Sequence, residues 1–272
     1  MKATKLGIIA GGGNMPLEII NHCKNLNRDV FVIGLSPFAD DLNLAPLPHL
    51  FAKIGEVGRM LKAFADNEVF EIVFAGSIKR PSLSEIKPDW EGAKLITKLA
   101  LKKMSDDNLF RIIFDEIEKH GFKVVGIQDV VPKMLFSEGV YGKIKPSNDD
   151  MDDIQRGLTV AKAIGAVDVG QACVVQEGIV LAVEAVEGTD MMLDRASSLR
   201  RKGKAPVMIK VVKPDQDRRV DMPVIGIRTI EQLTKYGIGG IAVEAGGILL
   251  IERDSVINKA NDNGKFIVGV RT

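Results

Sequence analysis

The chain has 272 residues, of which 46% are hydrophobic and 27% are charged, and its formal net charge is +1. This composition is that of an ordinary globular protein, and the length suits two domains or one large α/β unit. A net charge this close to zero gives no general attraction to nucleic acid, so local groups must bind any anionic ligand. The composition therefore argues against a nucleic-acid partner.

Targeting and redox signals are absent from the sequence. No apolar run approaches the ~18 residues that a membrane-spanning helix needs, and residues 1–7 contain no apolar region of a signal peptide. Cys23 and Cys173 form no CxxC motif, which indicates reduced, buried thiols. We expect a cytoplasmic protein.

The first half of the chain alternates predicted strands and helices. Its strands are apolar runs without polar alternation, and the segments between them carry apolar residues at helical spacing. Such strands, separated by helices, indicate a parallel sheet with helices on both faces. We predict a Rossmann-like α/β domain over residues 1–145. Its predicted strands are 6–10, 30–33, 72–75 and 123–127, and its predicted helices begin near Pro16 and cover 56–67, 90–104 and 107–120.

The second half has a different pattern after a polar, proline-containing linker at residues 143–148. Glu177-Gly178 and Gly246-Gly247 each separate two apolar runs, which predicts two hairpins. We predict an α+β domain with a mixed sheet over residues 146–272, and an active site in the cleft between the two domains. The predicted helices of this half are 149–163, 189–199 and 229–235.

Gly11, Gly12 and Gly13 stand between the first predicted strand and the first helix, where doubly wound sheets bind phosphate. The segment departs from GxGxxG because Pro16 replaces the third glycine, and it lacks the Lys-Ser/Thr of a P-loop. No acid ends the second strand, which argues against NAD. We predict a nucleotide or phosphate site at the three glycines and Asn14, with a tight turn that binds nothing as the alternative.

Two other segments of the first half carry polar groups of possible function. Lys79 follows the strand at 72–75, at the carboxyl edge of the sheet where ligands bind, although a solvated loop explains it equally well. Asp106 and Asp107 precede a helix. They predict either an N-cap with a first-turn acid or an acid pair that positions a polar ligand.

The junction between a strand and a helix at residues 184–195 gathers four carboxylates, among them Asp190. Such a junction offers oxygen ligands for a metal and the free N–H groups of a helix start. Thr189 is a nucleotide-site candidate here, and simple capping of the helix by Thr189 is the alternative.

Residues 210–226 hold three acids and four bases. Oxygen ligands for a hard cation and cationic groups for phosphate are the two needs of metal-assisted phosphoryl chemistry. Asp221 lies in an apolar, proline-stiffened run, so we expect its carboxylate to be partly buried and to need a partner such as a metal. A solvated charged loop is the alternative. The catalytic candidates are Asp190, Asp217, Asp221, Lys210, Lys213 and Arg218.

Other chemistries lack their residues. His22, His49 and His120 have no metal-ligand spacing, which argues against zinc, and no GxSxG motif is present. Carboxylates with Mg²⁺ remain as the predicted chemistry.

Five motifs together resemble the Mg²⁺-dependent UDP-2,3-diacylglucosamine diphosphatases of lipid A biosynthesis, the form unrelated to the metallophosphoesterase-type enzyme. The resemblance implies hydrolysis of the pyrophosphate bond, by water attack on the α-phosphorus, to UMP and 2,3-diacylglucosamine 1-phosphate. It implies a product-binding cleft between two domains and places the family's essential aspartate at Asp221, which would bind Mg²⁺ or orient the attacking water. The motifs are residues 10–16, 105–109, 183–190, 213–223 and 240–246.

The implied substrate adds further expectations. A lipid substrate implies peripheral contact with the inner membrane and an apolar groove, for which Met191, Met192 and Leu193 are candidates. A homodimer is a working hypothesis. The alternatives for function are a dinucleotide-dependent oxidoreductase and a non-catalytic nucleotide-sensing module.

Overall fold

A computed structural model gives the fold as two compact units. The first unit is Met1–Pro132 with Asp217–Asp221, and the second is Lys133–Gln216 with Met222–Thr272. The residues described are 4–78, 86–100, 106–214, 217–219 and 222–272, without the side chains of residues 100 and 106–109.

The first unit alternates strands and helices as predicted, with one additional strand (His49–Lys53). In that strand Ala52 alone is buried, so it lacks the continuous apolar run that marks the others. The elements in chain order are β1 (Leu6–Ala10), α1 (Met15–Asn25), β2 (Val30–Ser36), β3 (His49–Lys53), α2 (Val57–Asp66), β4 (Glu71–Ala75), α3 (Trp90–Ala100), α4 (Asp106–Lys119), β5 (Lys123–Val125) and α5 (Ile127–Val130).

The strands of the first unit form one parallel sheet in the order β3-β2-β1-β4-β5. The chain proceeds from β1 to β2 on one side, and β4 pairs with β1 on the other, so the direction of winding reverses between β1 and β4. In open α/β sheets, ligands bind beyond the carboxyl ends of the strands at such a reversal. The glycine turn after β1 therefore lies where an anion site is expected.

Both faces of the first sheet are buried. Ile33 and Ile72 pack with Phe64 of α2 and Phe114 of α4 on one face. Val32 points to the opposite face, because successive strand residues alternate, and it is 0% exposed. Burial of both faces is typical of a parallel α/β sheet, and the predicted fold class of the first half is confirmed.

The second unit contains a larger sheet and four helices within the residues described. Its longest helix begins where Ser147 caps it, since the Ser147 hydroxyl accepts the Asp150 N–H at 3.3 Å. The elements in chain order are β6 (Gly139–Tyr141), α6 (Asn148–Ala166), β7 (Ala172–Gln176), β8 (Ile179–Val183), α7 (Gly188–Ser198), β9 (Val207–Lys210), β10 (Val224–Ile225), α8 (Ile227–Lys235), β11 (Gly240–Glu244), β12 (Leu249–Leu250), α9 (Arg253–Asp262) and β13 (Phe266–Val270).

The larger sheet has the order β6-β13-β11-β9-β7-β8. Strands β9, β11 and β13 are parallel, whereas β6, β7 and β8 run antiparallel to their neighbours. This is the mixed sheet that the sequence predicts. The boundary predicted after residue 145 falls between β6 and α6, and β6 pairs with β13 in the sheet of the second unit.

Helices cover both faces of the larger sheet. Ile209 of β9 packs with Ile154 of α6 on one face. Its neighbour Met208 packs on the other face, in a cluster with Leu193 of α7 and Val256 of α9. The four inner strands of this sheet (β7, β9, β11 and β13) are buried, because side chains alternate between the two faces and each face is covered by helices. The edge strands β6 and β8 are mostly exposed or half-buried.

The two predicted hairpins have different outcomes. The hairpin at Glu177-Gly178 is confirmed, with φ of 49° and 77° at these two residues and antiparallel pairing of β7 and β8. The prediction of a hairpin at Gly246-Gly247 is wrong. Strand β11 pairs in parallel with β9 and β13, and β12 pairs with β10 in a separate two-stranded sheet. Gly246 turns the chain, with φ of 74°, but the two runs it separates pair elsewhere.

None of the helices in the described ranges has the length and apolar character that crossing a lipid bilayer requires.

The backbone of Gly11 lies too close to the end of β4 for any side chain. A Cβ atom at this position would be 2.6 Å from the Ser77 carbonyl oxygen, a backbone atom. We expect Gly11→Ala to lower the free energy of unfolding by about 2 kcal/mol, because the end of β4 must shift. Gly165→Ala is the matched control, since its Cβ atom would lie 3.6 Å from the nearest neighbour. It should be neutral or stabilising by up to ~1 kcal/mol because alanine favours the helix. Urea unfolding of both variants measures the difference, and equal stabilities would contradict the prediction.

Candidate active site

The side chains of four predicted site residues lie outside the part of the protein that the structure describes. Asp221 and Lys79 lie outside the described residues, and Asp106 and Asp107 begin α4 with side chains that are likewise outside them. Their predicted roles stay predictions. The remaining candidates divide between the two units.

In the first unit, hydrogen bonds tie the glycine turn to the end of β4. The Gly11 N–H donates to the Ala75 carbonyl at 2.8 Å, and the Gly12 N–H donates to the Ser77 carbonyl at 2.9 Å. The Ser77 N–H donates back to the Gly12 carbonyl at 2.9 Å. The N–H groups of Gly11 and Gly12 are therefore used within the protein. An anion at this turn depends on the turn from Gly13 onward and on the start of α1.

An exposed acid that the strand pattern did not reveal follows β2. The Ser36 hydroxyl donates to Asp40 Oδ1 at 2.6 Å. This loop lies beside the glycine turn, since a Cβ atom on Gly12 would be 3.0 Å from the Phe38 carbonyl oxygen. An acid after the second strand is where dinucleotide-binding folds hold ribose hydroxyls. Asp40 is thus a candidate for a nucleoside sugar, and its distance from the strand explains why it was missed.

In the second unit, a buried carboxylate and a hydroxyl hold Lys210 at the carboxyl end of β9. Lys210 Nζ donates to Thr189 Oγ1 at 3.3 Å, and the Thr189 hydroxyl donates to Glu184 Oε1 at 2.5 Å. Glu184 is 7% exposed. Because the hydroxyl gives its only proton to Glu184, its lone pairs face Lys210. We call Glu184, Thr189 and Lys210 the lysine network. It brings two predicted site residues together with one that was not selected.

Gln171 adds an unsatisfied oxygen to this region. Its N–H donates to Glu184 Oε2 at 3.0 Å, and its carbonyl accepts the Val211 N–H at 2.9 Å. Its side-chain Oε1 is buried and has no hydrogen-bond partner among the residues described. Buried oxygens are almost always satisfied. A bound cation, a water or a substrate group would satisfy this one.

Other predicted site residues of the second unit form exposed ion pairs. Asp190 of α7 binds Arg228 of α8, and Lys213 Nζ lies 2.8 Å from Asp168 Oδ1. The Arg228 and Asp168 side chains are 77% and 71% exposed. Exposed pairs contribute little to stability, so a phosphate or a cation can replace either partner at small cost.

Asp217 is paired with Arg219 in the segment assigned to the first unit. Hydrogen bonds from the Arg219 side chain hold the pKa of the Asp217 carboxyl below its usual range. The same bonds raise the pKa of Arg219. The pair is therefore ionised at neutral pH. Arg218, between them, is exposed.

Comparison with known proteins agrees with the motifs. A model of the LpxI N-terminal domain matches residues 5–134, and a model of the LpxI C-terminal domain matches residues 137–268. The chain belongs to the LpxI family. It is 41% identical over 273 aligned residues to UDP-2,3-diacylglucosamine pyrophosphatase LpxI of Caulobacter vibrioides, with 98% of this chain and 97% of that protein covered. The family resemblance drawn from the sequence is confirmed.

The structure corrects the prediction of an apolar groove at Met191, Met192 and Leu193. Met192 and Leu193, predicted to line an acyl groove, are 0% and 1% exposed and belong to the core of the second unit. Both side chains lie on the side of α7 that packs against the larger sheet, in a cluster with Met208 of β9. Met191 is 63% exposed and is the one residue of the three that a lipid can reach.

This LpxI chain also brings together three side chains that the spacing did not connect. Glu91 of α3, Glu116 of α4 and His120 directly after α4 place ligand atoms within 4.8 Å of one another, the one such group in the described part of the chain. Lys98 Nζ already donates to Glu116 Oε2 at 2.5 Å, and this bond lowers the pKa of Glu116. A metal here would have to displace an ammonium group, so the group is better explained as an ion-paired cluster.

Both cysteines of this chain are buried. Cys173 is 0% exposed, and burial raises the pKa of its thiol to about 12. A thiol with such a pKa is protonated at neutral pH and is therefore a poor nucleophile. The prediction of buried, reduced thiols agrees with the two free, buried cysteines.

Proposed function

We propose that this chain hydrolyses the pyrophosphate bond of UDP-2,3-diacylglucosamine to UMP and 2,3-diacylglucosamine 1-phosphate, in lipid A biosynthesis. The observation that carries the proposal is 41% identity over 98% of the chain to a UDP-2,3-diacylglucosamine pyrophosphatase. The identity extends over both family domains, which supports the same reaction. The oxidoreductase and sensing-module alternatives have no comparable support.

The reaction is a displacement at phosphorus. A water oxygen forms a bond to the α-phosphorus, and the bond from that phosphorus to the bridging oxygen breaks. One proton of the water passes to the Asp221 carboxylate, and the other is lost to solvent from the phosphate of UMP. The leaving group is the lipid phosphate, which departs with the electron pair of the broken bond. We assign Asp221 to orient the attacking water and Lys210 to offset the charge that develops on the phosphoryl oxygens.

The lysine network supports the role of Lys210. Its ammonium group is held by the Thr189 hydroxyl, which the buried Glu184 orients. A preorganised cation stabilises developing charge more than a mobile one because it needs no rearrangement during the reaction. Lys213 and Arg218 supply further positive charge, and Asp190 and Asp217 act through their arginine partners.

The donor groups present suit Mg²⁺, which prefers carboxylate and carbonyl oxygens. The buried Oε1 of Gln171, which has no hydrogen-bond partner among the residues described, is the observation that fits a cation or its water. Asp221 would hold the ion. Bound Mg²⁺ would neutralise phosphate charge and make the phosphorus more electrophilic.

The nucleotide part of the substrate is assigned to the first unit. Gly13 and Asn14, at the start of α1, offer the dipole-positive end of a helix to a phosphate. Gly11 and Gly12 give the turn its shape through their bonds to β4. Lys79, Asp106 and Asp107 are retained as phosphate and nucleotide contacts on the sequence argument alone.

The test is UMP release from UDP-2,3-diacylglucosamine by the purified chain, with Mg²⁺ and with EDTA. We expect UMP with Mg²⁺ and at least ~100-fold less with EDTA, in keeping with the size of metal-ion catalysis. In H₂¹⁸O the label should appear in UMP, because attack is at the α-phosphorus. Label in the lipid phosphate would contradict the site of attack, and tight UMP binding without turnover would favour a sensing module.

The lipid substrate also motivates two proposals about association. The chain makes peripheral contact with the inner membrane, where its substrate resides, and vesicle flotation tests this. A homodimer is the proposed assembly, and light scattering tests it.

A further inference from the structure

Residues 217–219 are held against the first unit, although they belong to the charged segment of the second half. Contacts group Asp217–Asp221 with the first unit, whereas the residues before and after it belong to the second. The chain thus leaves the second unit, contributes this short segment to the first and returns. Such a short excursion needs its own attachment, because backbone entropy opposes holding it in place.

Asp217 and Arg219 form a closed pair within the segment. Arg219 donates to Asp217 Oδ1 from its backbone N–H and from Nε, both at 3.0 Å, and to Asp217 Oδ2 from Nη2 at 2.8 Å. Two parallel side-chain bonds from one guanidinium to one carboxylate give a fixed geometry as well as energy. The hydrogen bond from the Arg219 N–H to the Asp217 carboxylate closes a turn, so the pair sets the local conformation of residues 217–219.

The same guanidinium attaches the segment to α4. Arg219 Cζ lies 4.4 Å from the centre of the Phe114 ring, and Arg219 Nη1 donates to Glu118 Oε1 at 3.3 Å. Phe114 is 0% exposed and packs against Phe74 at 5.4 Å between ring centres. An arginine stacked on a ring of the core is anchored to a rigid part of the unit. Only arginine combines a stacked face with a bidentate edge.

We propose that Arg219 and Asp217 are positioning residues, which fasten to α4 the segment that leads, two residues later, to Asp221. The inference rests on the proposed function for its consequence on catalysis. The N–H groups of the Arg219 guanidinium bind two carboxylates, and its face packs on a ring. Few of its donors therefore remain for a phosphate. Both Asp217 oxygens already accept bonds from Arg219, so this acid is a poor candidate for a metal ligand.

A double-mutant cycle on turnover tests the pairing. We expect Asp217→Asn and Arg219→Gln each to lower kcat about 30-fold with KM changed less than about 3-fold, and the double variant to lose no more than about 50-fold. Arg219→Lys should recover little, because lysine cannot donate two parallel bonds. Multiplication to about 1,000-fold in the double variant would show independent roles and overturn the proposal. A rise in KM at unchanged kcat in Arg219→Gln would also overturn it, since that result indicates direct substrate binding.

A second arm needs no catalysis. Hydrogen exchange of peptides covering residues 213–222 should be at least ~10-fold faster in Arg219→Gln than in the wild type, because the attachment to α4 is lost. Glu118→Gln, outside the segment, should give a smaller increase in the same peptides. Arg253→Gln is the matched control, since Arg253 also stacks on a ring, that of Tyr141 at 4.7 Å, and it should leave these peptides unchanged. Unchanged exchange in Arg219→Gln would overturn the attachment. Absence of UMP from the wild type would refute the proposed function, and the exchange result would still decide the attachment.

Discussion

Asp221→Asn is expected to lower kcat for UMP release at least ~1,000-fold, which corresponds to about 4 kcal/mol of transition-state stabilisation. The change keeps the size of the side chain but removes the negative charge. An amide neither neutralises Mg²⁺ nor accepts a proton from the attacking water. The loss should fall on kcat more than on KM, because the carboxylate acts on water and metal rather than on the nucleoside or the acyl chains. Initial rates over a range of substrate and Mg²⁺ concentrations measure both parameters.

The control for this variant is Asp262→Asn, which removes the same charge from an exposed position at the end of α9. It should keep wild-type kcat and wild-type thermal unfolding. Near-normal turnover by a folded Asp221→Asn protein would remove Asp221 from the catalytic assignment. Recovery of turnover at raised Mg²⁺ would identify the carboxylate as a ligand of the ion rather than as the group that orients the water.

Lys210→Met is expected to lower kcat about 100-fold to 1,000-fold, the usual cost of removing one preorganised group that stabilises transition-state charge. Methionine keeps the length of the side chain and its apolar stem but loses the ammonium group. The position is at the carboxyl end of β9, where the backbone is fixed by pairing with β7 and β11. The fold should therefore tolerate the change, and kcat and KM from UMP release separate loss of catalysis from loss of binding.

Thr189→Val tests whether the contribution of Lys210 to kcat depends on the hydroxyl that holds it. Valine has the shape of threonine but cannot link Lys210 to Glu184, so we expect a loss of about 10-fold in kcat. Lys259→Met is the control for Lys210→Met, because it removes the same ammonium group from a lysine on α9 that pairs with Glu231 at 3.3 Å. An equal loss in Lys259→Met, or full activity in Lys210→Met, would contradict the assignment of Lys210.

The lysine network illustrates how a site residue can escape selection from sequence. Glu184 stands among four carboxylates of similar appearance, and only burial distinguishes it from the others. It is 7% exposed, while its neighbour Glu187 pairs with Arg195 near the surface. Gln171 carried no sequence signal at all, because its role follows from an unsatisfied oxygen that exists only in the folded protein.

Local features of this protein follow from the sequence by itself. Continuous apolar runs predict the buried strands β1, β2 and β4, because parallel strands covered on both faces have no polar side to alternate. Glu177-Gly178, standing between two apolar runs, predicts the hairpin of β7 and β8. The family resemblance also follows from the sequence, since five separated motifs specify it jointly.

Only the tertiary structure decides which distant segments meet. The runs around Gly246 have the local appearance of a hairpin, yet β11 pairs with β9 and β13, because a central position in the larger sheet buries it on both faces. The N–H groups of Gly11 and Gly12 donate to carbonyl groups at and just after the end of β4, more than sixty residues away in the sequence. Arg219 binds Glu118 of α4, about a hundred residues away. Periodicity reports the local conformation and the buried side of an element. The choice of partner depends on long-range packing, for which the sequence carries no local signal.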